Sequence, residues 1–198
     1  MEFDSLAGYA SLRISSGQHS ARSRFSFLFL IPSYGRIEVF DPLGRVRYQI
    51  LIVNQTSYFI APSKKAFWQG DDTEIMEKFM GFPLQLSEVI SLLSGRWSEN
   101  NLETGTSGQK NWDLKRDRRG WIQQGSRNGF FFQVEGYFDP SPWIQSFVFH
   151  HQKTSGRVKV LDIHFDQPAV EGAFSTVFLE SFSRITWEEM KKFLDDPS

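Results

Sequence analysis

Cysteine is absent from this 198-residue sequence, which excludes disulfides, thiolate metal sites and cysteine nucleophiles. An excess of either charge is lacking too. The 22 Lys and Arg stand against 23 Asp and Glu, a net charge of −1, so no overall field selects nucleic acid or an anionic membrane. No apolar run reaches the roughly 18 residues of a membrane-spanning helix. The opening MEFDSLAGYA has no basic region followed by an apolar one, so the expectation is a cytoplasmic protein or a mature chain without its targeting segment. Catalytic signatures are missing as well: there is no Gly-x-Ser-x-Gly elbow, His-Glu-x-x-His or phosphate loop. Histidine is scarce, at four residues. His150 and His151 point to opposite faces of any strand and cannot share a metal, while His164 falls beside Asp162. The acid pairs Asp71-Asp72 and Asp195-Asp196 are neighbours in sequence, which is not the geometry of a catalytic pair. Neither an enzyme nor a metal or cofactor is expected. The basic run KRDRRG (115–120), flanked by Trp112 and Trp121, reads as a solvated hairpin rather than a nucleic-acid surface.

What the sequence has in abundance is phenylalanine, with 20 residues. Either the core is aromatic or rings line a cavity. The period of two that marks a strand recurs along the chain. RFSFLFLI (24–31) puts Phe25, Phe27 and Phe29 on one face. RIEVF (36–40) pairs Ile37 with Val39, and VRYQILIV (46–53) aligns Tyr48, Ile50 and Ile52. SYFIA (57–61) offers Tyr58 and Ile60, and KAFWQ (65–69) follows. Further strands are expected at 120–124, 129–135, 142–150, 157–165 and 173–181. The connections between the early strands are too short for parallel crossovers, so the sheet is antiparallel.

The period changes midway. In DDTEIMEKFMG, Asp71 and Glu74 have the spacing of a capping box, and Ile75, Met76, Phe79 and Met80 share a helical face. SEVISLLSG suggests a second helix capped by Ser87 and stopped by Gly95, with Ile90, Leu92 and Leu93 apolar. Near the C-terminus, Thr186 and Glu189 cap a helix whose stripe is Trp187, Met190 and Leu194. The expected architecture is mainly β with helices (α+β): an open, highly curved antiparallel sheet of about ten strands under a helical lid inserted over about 71–95. A C-terminal strand and helix occupy about 173–194, and residues 1–198 form one domain. A curved sheet under a lid encloses space, and such mouths hold ligands. The inward candidates are the residues named on the first five strands, with Phe79, Phe82 and Leu86 from the lid.

One turn stands out. Asp41-Pro42-Leu43-Gly44 has Asp, Pro and Gly where a type I turn wants them. The proline fixes one φ, and a large aliphatic side chain sits at the tip. Leu43 either folds back onto a neighbour or is presented to solvent.

At these residues the sequence resembles a known family. GRIEVFDPLGRVRYQILIV is similar to the strand–turn–strand of the LolB family of outer-membrane lipoprotein receptors, with Asp41 where the family has asparagine. DDTEIMEKFMGFPLQLSEVISLLSG (71–95) resembles its helical insert in order and spacing, through Gly81, Pro83, Leu86, Leu93 and Gly95. GWIQQ and VKVLDIHF fit later strands loosely. The resemblance implies an open half-barrel of about ten to eleven strands with a helical lid over an apolar cavity. It implies non-catalytic binding of acylated lipoproteins, received from a LolA-like periplasmic carrier and inserted into the inner leaflet of the outer membrane by a monomer that binds no nucleic acid. Leu43 would be the delivery residue, and Gly81 and Gly95 the places where the lid moves. The family's lipidated cysteine is absent from this sequence, and 166–198 has no counterpart in the pattern. The alternative is a soluble periplasmic carrier or sensor on the same scaffold that binds another lipid, apolar ligand or partner segment.

Overall fold

The computed structural model describes residues 4–17, 19–80, 84–97 and 112–195. It contains one twelve-stranded sheet. The strands are β1 (Ser5–Ser16), β2 (His19–Leu30), β3 (Tyr34–Phe40), β4 (Val46–Val53), β5 (Thr56–Ala61), β6 (Ala66–Asp71), β7 (Asp113–Arg116), β8 (Ile122–Arg127), β9 (Phe130–Tyr137), β10 (Ile144–His151), β11 (Thr154–Phe165) and β12 (Ser183–Arg184). Their spatial order is β12-β6-β5-β4-β3-β2-β1-β11-β10-β9-β8-β7. Two meanders, β1–β6 and β7–β11, are therefore joined by the antiparallel pairing of β1 with β11. The sheet curves but does not close, and its edges are β7 and the short β12, which pairs with β6 in parallel.

The sequence reading begins the strands at 24 and misses β1, whose small residues Ala7, Gly8 and Ala10 weaken the alternation. It also misses β7, the first arm of the hairpin that carries the basic run. The segment 173–181 is not a strand. It turns repeatedly, with Ala173, Ser175 and Leu179 each donating to the carbonyl three residues back, and it ends in a 3-10 turn, Val177–Ser181. This segment crosses the outer face of the sheet rather than running beside an edge, so no ladder is open to it.

Three described helices cover the inner, concave face: α1 (Asp72–Met80), α2 (Leu86–Ser94) and α3 (Trp187–Asp195). Asp71 caps α1 by accepting the Glu74 N–H at 2.6 Å. The cap of α2 is Gln85, not Ser87: its backbone N–H donates to Glu88 at 2.8 Å, closing a capping box two residues earlier than expected. Thr186 and Glu189 cap α3 as anticipated, and the Thr186 N–H holds the Glu189 carboxyl below its usual range. Ile75, Met76, Ile90, Leu92, Leu93, Trp187 and Met190 are all buried beneath these helices. The phenylalanines of the inner face stack along strands and across them, as in Phe27–Phe29 at 5.8 Å and Phe130–Phe149 at 6.0 Å.

The outer face has an apolar patch of its own, built on Leu51 and Ile60 and covered by Leu179. The chain from 166 to 185 lies over it as a strap, with Phe174 against Tyr34 at 5.4 Å and the Arg36 guanidinium donating to the Ala173 carbonyl at 3.0 Å. The strap then rounds the β6 edge as β12 and delivers α3 to the inner face.

Candidate functional site

Between the inner face and the helices lies a hollow of about 70 Å³. Its floor comes from both meanders: Leu12, Ser23, Phe25, Ile37, Val39 and Ile50 on one side, Phe130, Phe147, Phe149 and Val158 on the other. Its roof is Met76 of α1, Leu84, and Val89, Leu92 and Leu93 of α2. All of these side chains except Ser23 are apolar, so a bound group would meet no directional polar demand. A void lined this way has nothing to hold water in place.

Of the residues expected to face inward, Phe25, Ile37, Val39 and Ile50 line the hollow. Phe27, Phe29, Tyr48, Ile52 and Leu86 lie in the same buried cluster, around the hollow rather than at its wall. Tyr58 and Ile60 do not face it. The register pairs Ile50 with Phe59, and it sets Tyr58 and Ile60 opposite Leu51 and Gln49, so both point to the outer face. The inward residues of β5 are Ser57, Phe59 and Ala61. The expectation failed because β5 is apolar on both faces, one against the helices and one against the strap. The Phe79 side chain and Phe82, like Gly81, lie outside the described residues. The whole wall from β9 to β11 was missed: Val158/Val160 alternate plainly, but the runs FFF (130–132) and FVF (147–149) are apolar on both faces in the sequence.

The roof is pinned. Glu88 of α2, 7% exposed in its side chain, forms an ion pair with Arg127 of β8, itself only 10% exposed. The same carboxylate accepts the indole N–H of Trp112 at 2.7 Å, and Arg127 lies over the Trp112 ring at 5.1 Å. At the other end of α2, Gly95 takes a left-handed φ of +72°, and a Cβ there would sit 2.5 Å from the Pro142 carbonyl. Gly95 is thus a tightly packed helix stop rather than a loose hinge. α3 fills the rest of the inner face over β4–β6. Trp187 packs edge-on against Phe59 at 5.7 Å and Trp68 at 5.4 Å, and the Tyr48 hydroxyl donates to the Phe193 carbonyl at 2.7 Å.

The turn between β3 and β4 has the expected form, with the Gly44 N–H donating to the Asp41 carbonyl at 3.0 Å and Gly44 at φ +81°. Asp41 ties it together. Its Oδ1 accepts the N–H groups of Leu43 and Arg45, each at 2.9 Å, and its Oδ2 accepts the Arg45 guanidinium at 2.7 Å. The Arg45 N–H first, and then the guanidinium, hold the Asp41 carboxyl below its ordinary value of 3.8. Leu43 does not fold back: it is 78% exposed. Asp162 and His164 do pair, at 2.7 Å, on an exposed stretch of β11 away from the hollow. No described helix is long and apolar enough to cross a membrane.

No family model matches the chain, and no curated protein sequence does. Solved structures do match. A domain from Vibrio parahaemolyticus, provisionally assigned to outer membrane lipoprotein sorting, superposes with a TM-score of 0.63 at 11% identity, over 89% of this chain and 91% of its own. A DUF1329 family protein from Desulfovibrio piger gives 0.64 at 9% identity, over 89% and 92%. A LolA superfamily protein from Nitrosomonas europaea gives 0.56 at 10% identity, over 90% and 93%. At these identities the likeness is one of fold: the open curved sheet with a helical cover is the LolA/LolB-like architecture.

Proposed function

We propose that this LolA/LolB-like chain binds the acyl chains of lipoproteins beneath its helices, without catalysis, and passes them to the inner leaflet of the outer membrane from the Leu43 turn. The observation that carries the reading is the pairing of an apolar hollow with a leucine held outward on a braced turn. A LolA-like carrier in the periplasm would supply the cargo, and the neighbour provisionally assigned to lipoprotein sorting supports that setting.

The energetics suit a transfer protein. Each buried methylene contributes about 0.8 kcal/mol, so an acyl chain needs only apolar walls. The hollow, about 70 Å³, is far below the roughly 300–1,000 Å³ of pockets that bury small organic ligands. Uptake therefore requires α1 and α2 to move away from the sheet, and release returns them to it. Leu43 can contribute about 1.5–3 kcal/mol on leaving water, enough for contact with a bilayer and too little to stay there.

Leu43→Glu tests the reading. The variant is expected to fold and to bind acyl chains as before, but to lose delivery of an acylated lipoprotein to liposomes. Unchanged delivery sinks the membrane step and leaves a soluble carrier. That second reading has one observation in its favour: the strap and α3 cover surface that an open receptor would leave bare. Native mass spectrometry of protein purified from cells addresses both, since acylated protein or lipid should accompany it. Protein that comes off bare, and takes up no acyl chain when offered one, ends both readings.

A further inference from the structure

The strap leaves part of the outer face uncovered, and the register shows what that part carries. Leu12, Ser23 and Val158 face the hollow, so their neighbours Arg13, Arg22, Arg24, Arg157 and Lys159 face outward, and all five are exposed. Arg13 on β1 stands directly opposite Arg22 on β2 and Arg157 on β11. In the next outward row, Ser11 stands between Arg24 and Lys159. Like charges directly opposed across strands are destabilising. A carboxylate relieves only part of this: Arg157 pairs with Glu135 at 2.7 Å. Among the described residues, Arg13, Arg22, Arg24 and Lys159 have no such partner. Nearby on this face, Glu38 is taken up by Arg36. In a chain whose charges nearly cancel, at −1, this is segregation of charge and not a general excess.

The position of the patch gives it meaning. Arg24 pairs with Phe40, the last residue of β3, so the Asp41–Gly44 turn leaves the sheet beside the patch. Arg45, 74% exposed in its side chain, stands at the foot of that turn with its charge balanced by Asp41.

We infer that the uncovered outer face docks on an anionic phospholipid surface, with the cationic rows against the headgroups and Leu43 reaching the acyl boundary beside them. This rests on the delivery reading above and names the partner surface for it. Leucine alone gives a contact with no preference for lipid charge; the rows add long-range attraction and fix which side of the molecule meets the bilayer. A nucleic acid fits less well. The rows interleave arginine and lysine with serine, the neighbouring rings of Tyr9 and Phe40 pack on each other at 5.8 Å and are half-buried rather than offered as a stacking platform, and the adjoining tip is aliphatic.

The test is cosedimentation of the full chain, without cargo, with phosphatidylcholine vesicles and with vesicles containing about one-third phosphatidylglycerol. Binding is expected to be at least tenfold tighter to the anionic vesicles at low salt, and to fall steeply as salt shortens the Debye length from about 10 Å at 0.1 M to about 3 Å at 1 M. The triple variant R13Q/R22Q/R24Q should lose most of the anionic preference, at about fivefold per cation, while its uptake of a fluorescent fatty acid stays unchanged. L43S, which removes the apolar tip without adding charge, should weaken binding to both vesicle types and keep the preference. Equal binding to both vesicle types, or no salt dependence of the native protein, overturns the inference without needing the variant. So does displacement from vesicles by single-stranded oligonucleotide at lower concentration than by anionic lipid. Loss of fatty-acid uptake by the native protein, with vesicle preference intact, would instead sink the acyl-binding reading alone.

Discussion

Asp41 shows how much one side chain can organise. The Asp-Pro-x-Gly pattern was readable as a type I turn because each residue type answers a local backbone demand. What could not be read was whether Leu43 folds back, since that depends on whether a neighbouring surface lies within reach. Asparagine, as at the matching position of the LolB pattern, would still accept the backbone N–H groups. Only the carboxylate also binds the Arg45 guanidinium as an ion. Because the folded carboxyl is held below its ordinary value, its contribution is complete above the unfolded pKa of about 3.9 and disappears as pH falls through the lower folded value. The turn should therefore be ordered at neutral pH and loosen only below about pH 4. Asp41→Ala should loosen it at every pH. Amide hydrogen exchange at Leu43 and Arg45 would report this. Faster exchange in the variant is expected, with liposome delivery reduced but not abolished; identical protection would show that proline and glycine suffice.

At the level of elements, most strands were legible as strands, β1 and β7 excepted, and their faces were not. Alternation says which residues share a face, but not which face is concave. Tyr58 and Ile60 were misplaced because β4 and β5 are apolar on both sides, and only the strap's arrival explains the outer side. The lid helices were visible from their period, whereas the site that pins α2 was not. Glu88 reads in the sequence as a first-turn acid on a surface helix. In the structure it is a buried anion serving Arg127, Trp112 and the Gln85 N–H. Removing it takes the carboxylate from a nearly buried guanidinium, and deleting one partner of a buried pair costs about 3–5 kcal/mol. Glu88→Ala should lower stability by that order in urea unfolding. Adding Arg127→Met should recover part of the loss, because the buried charge that has lost its carboxylate is then gone. If the double variant is no more stable than the single one, the carboxylate matters chiefly through Trp112.

For the whole molecule, the segment 166–195 alters what the half-barrel can be. Without it, the outer apolar patch on Leu51 and Ile60 would meet water, the β6 edge would be unpaired, and the part of the inner face over β4–β6 that α1 leaves uncovered would be bare. The strap covers the first, the two residues of β12 blunt the second, and α3 fills the third. The sequence showed the terminal helix by its capping box and stripe, but a wrap from one face to the other is a long-range property that no local pattern encodes. The wrap implies that α3 belongs to the fold and packs beside α1: Lys78 of α1 lies 5.7 Å from the rings of both Trp68 and Trp187. Trp187→Ala removes the edge contacts with Phe59 and Trp68 and leaves a cavity beside the hollow. A buried tryptophan truncated in this way costs about 3–5 kcal/mol, which for a two-state protein of this size lowers the melting temperature by roughly 6–20 °C. The enlarged space should also be read by ligands, with a fluorescent fatty acid binding more tightly to the variant below its transition than to the native protein. A variant that melts at the native temperature would mean that α3 rests on the sheet without supporting it.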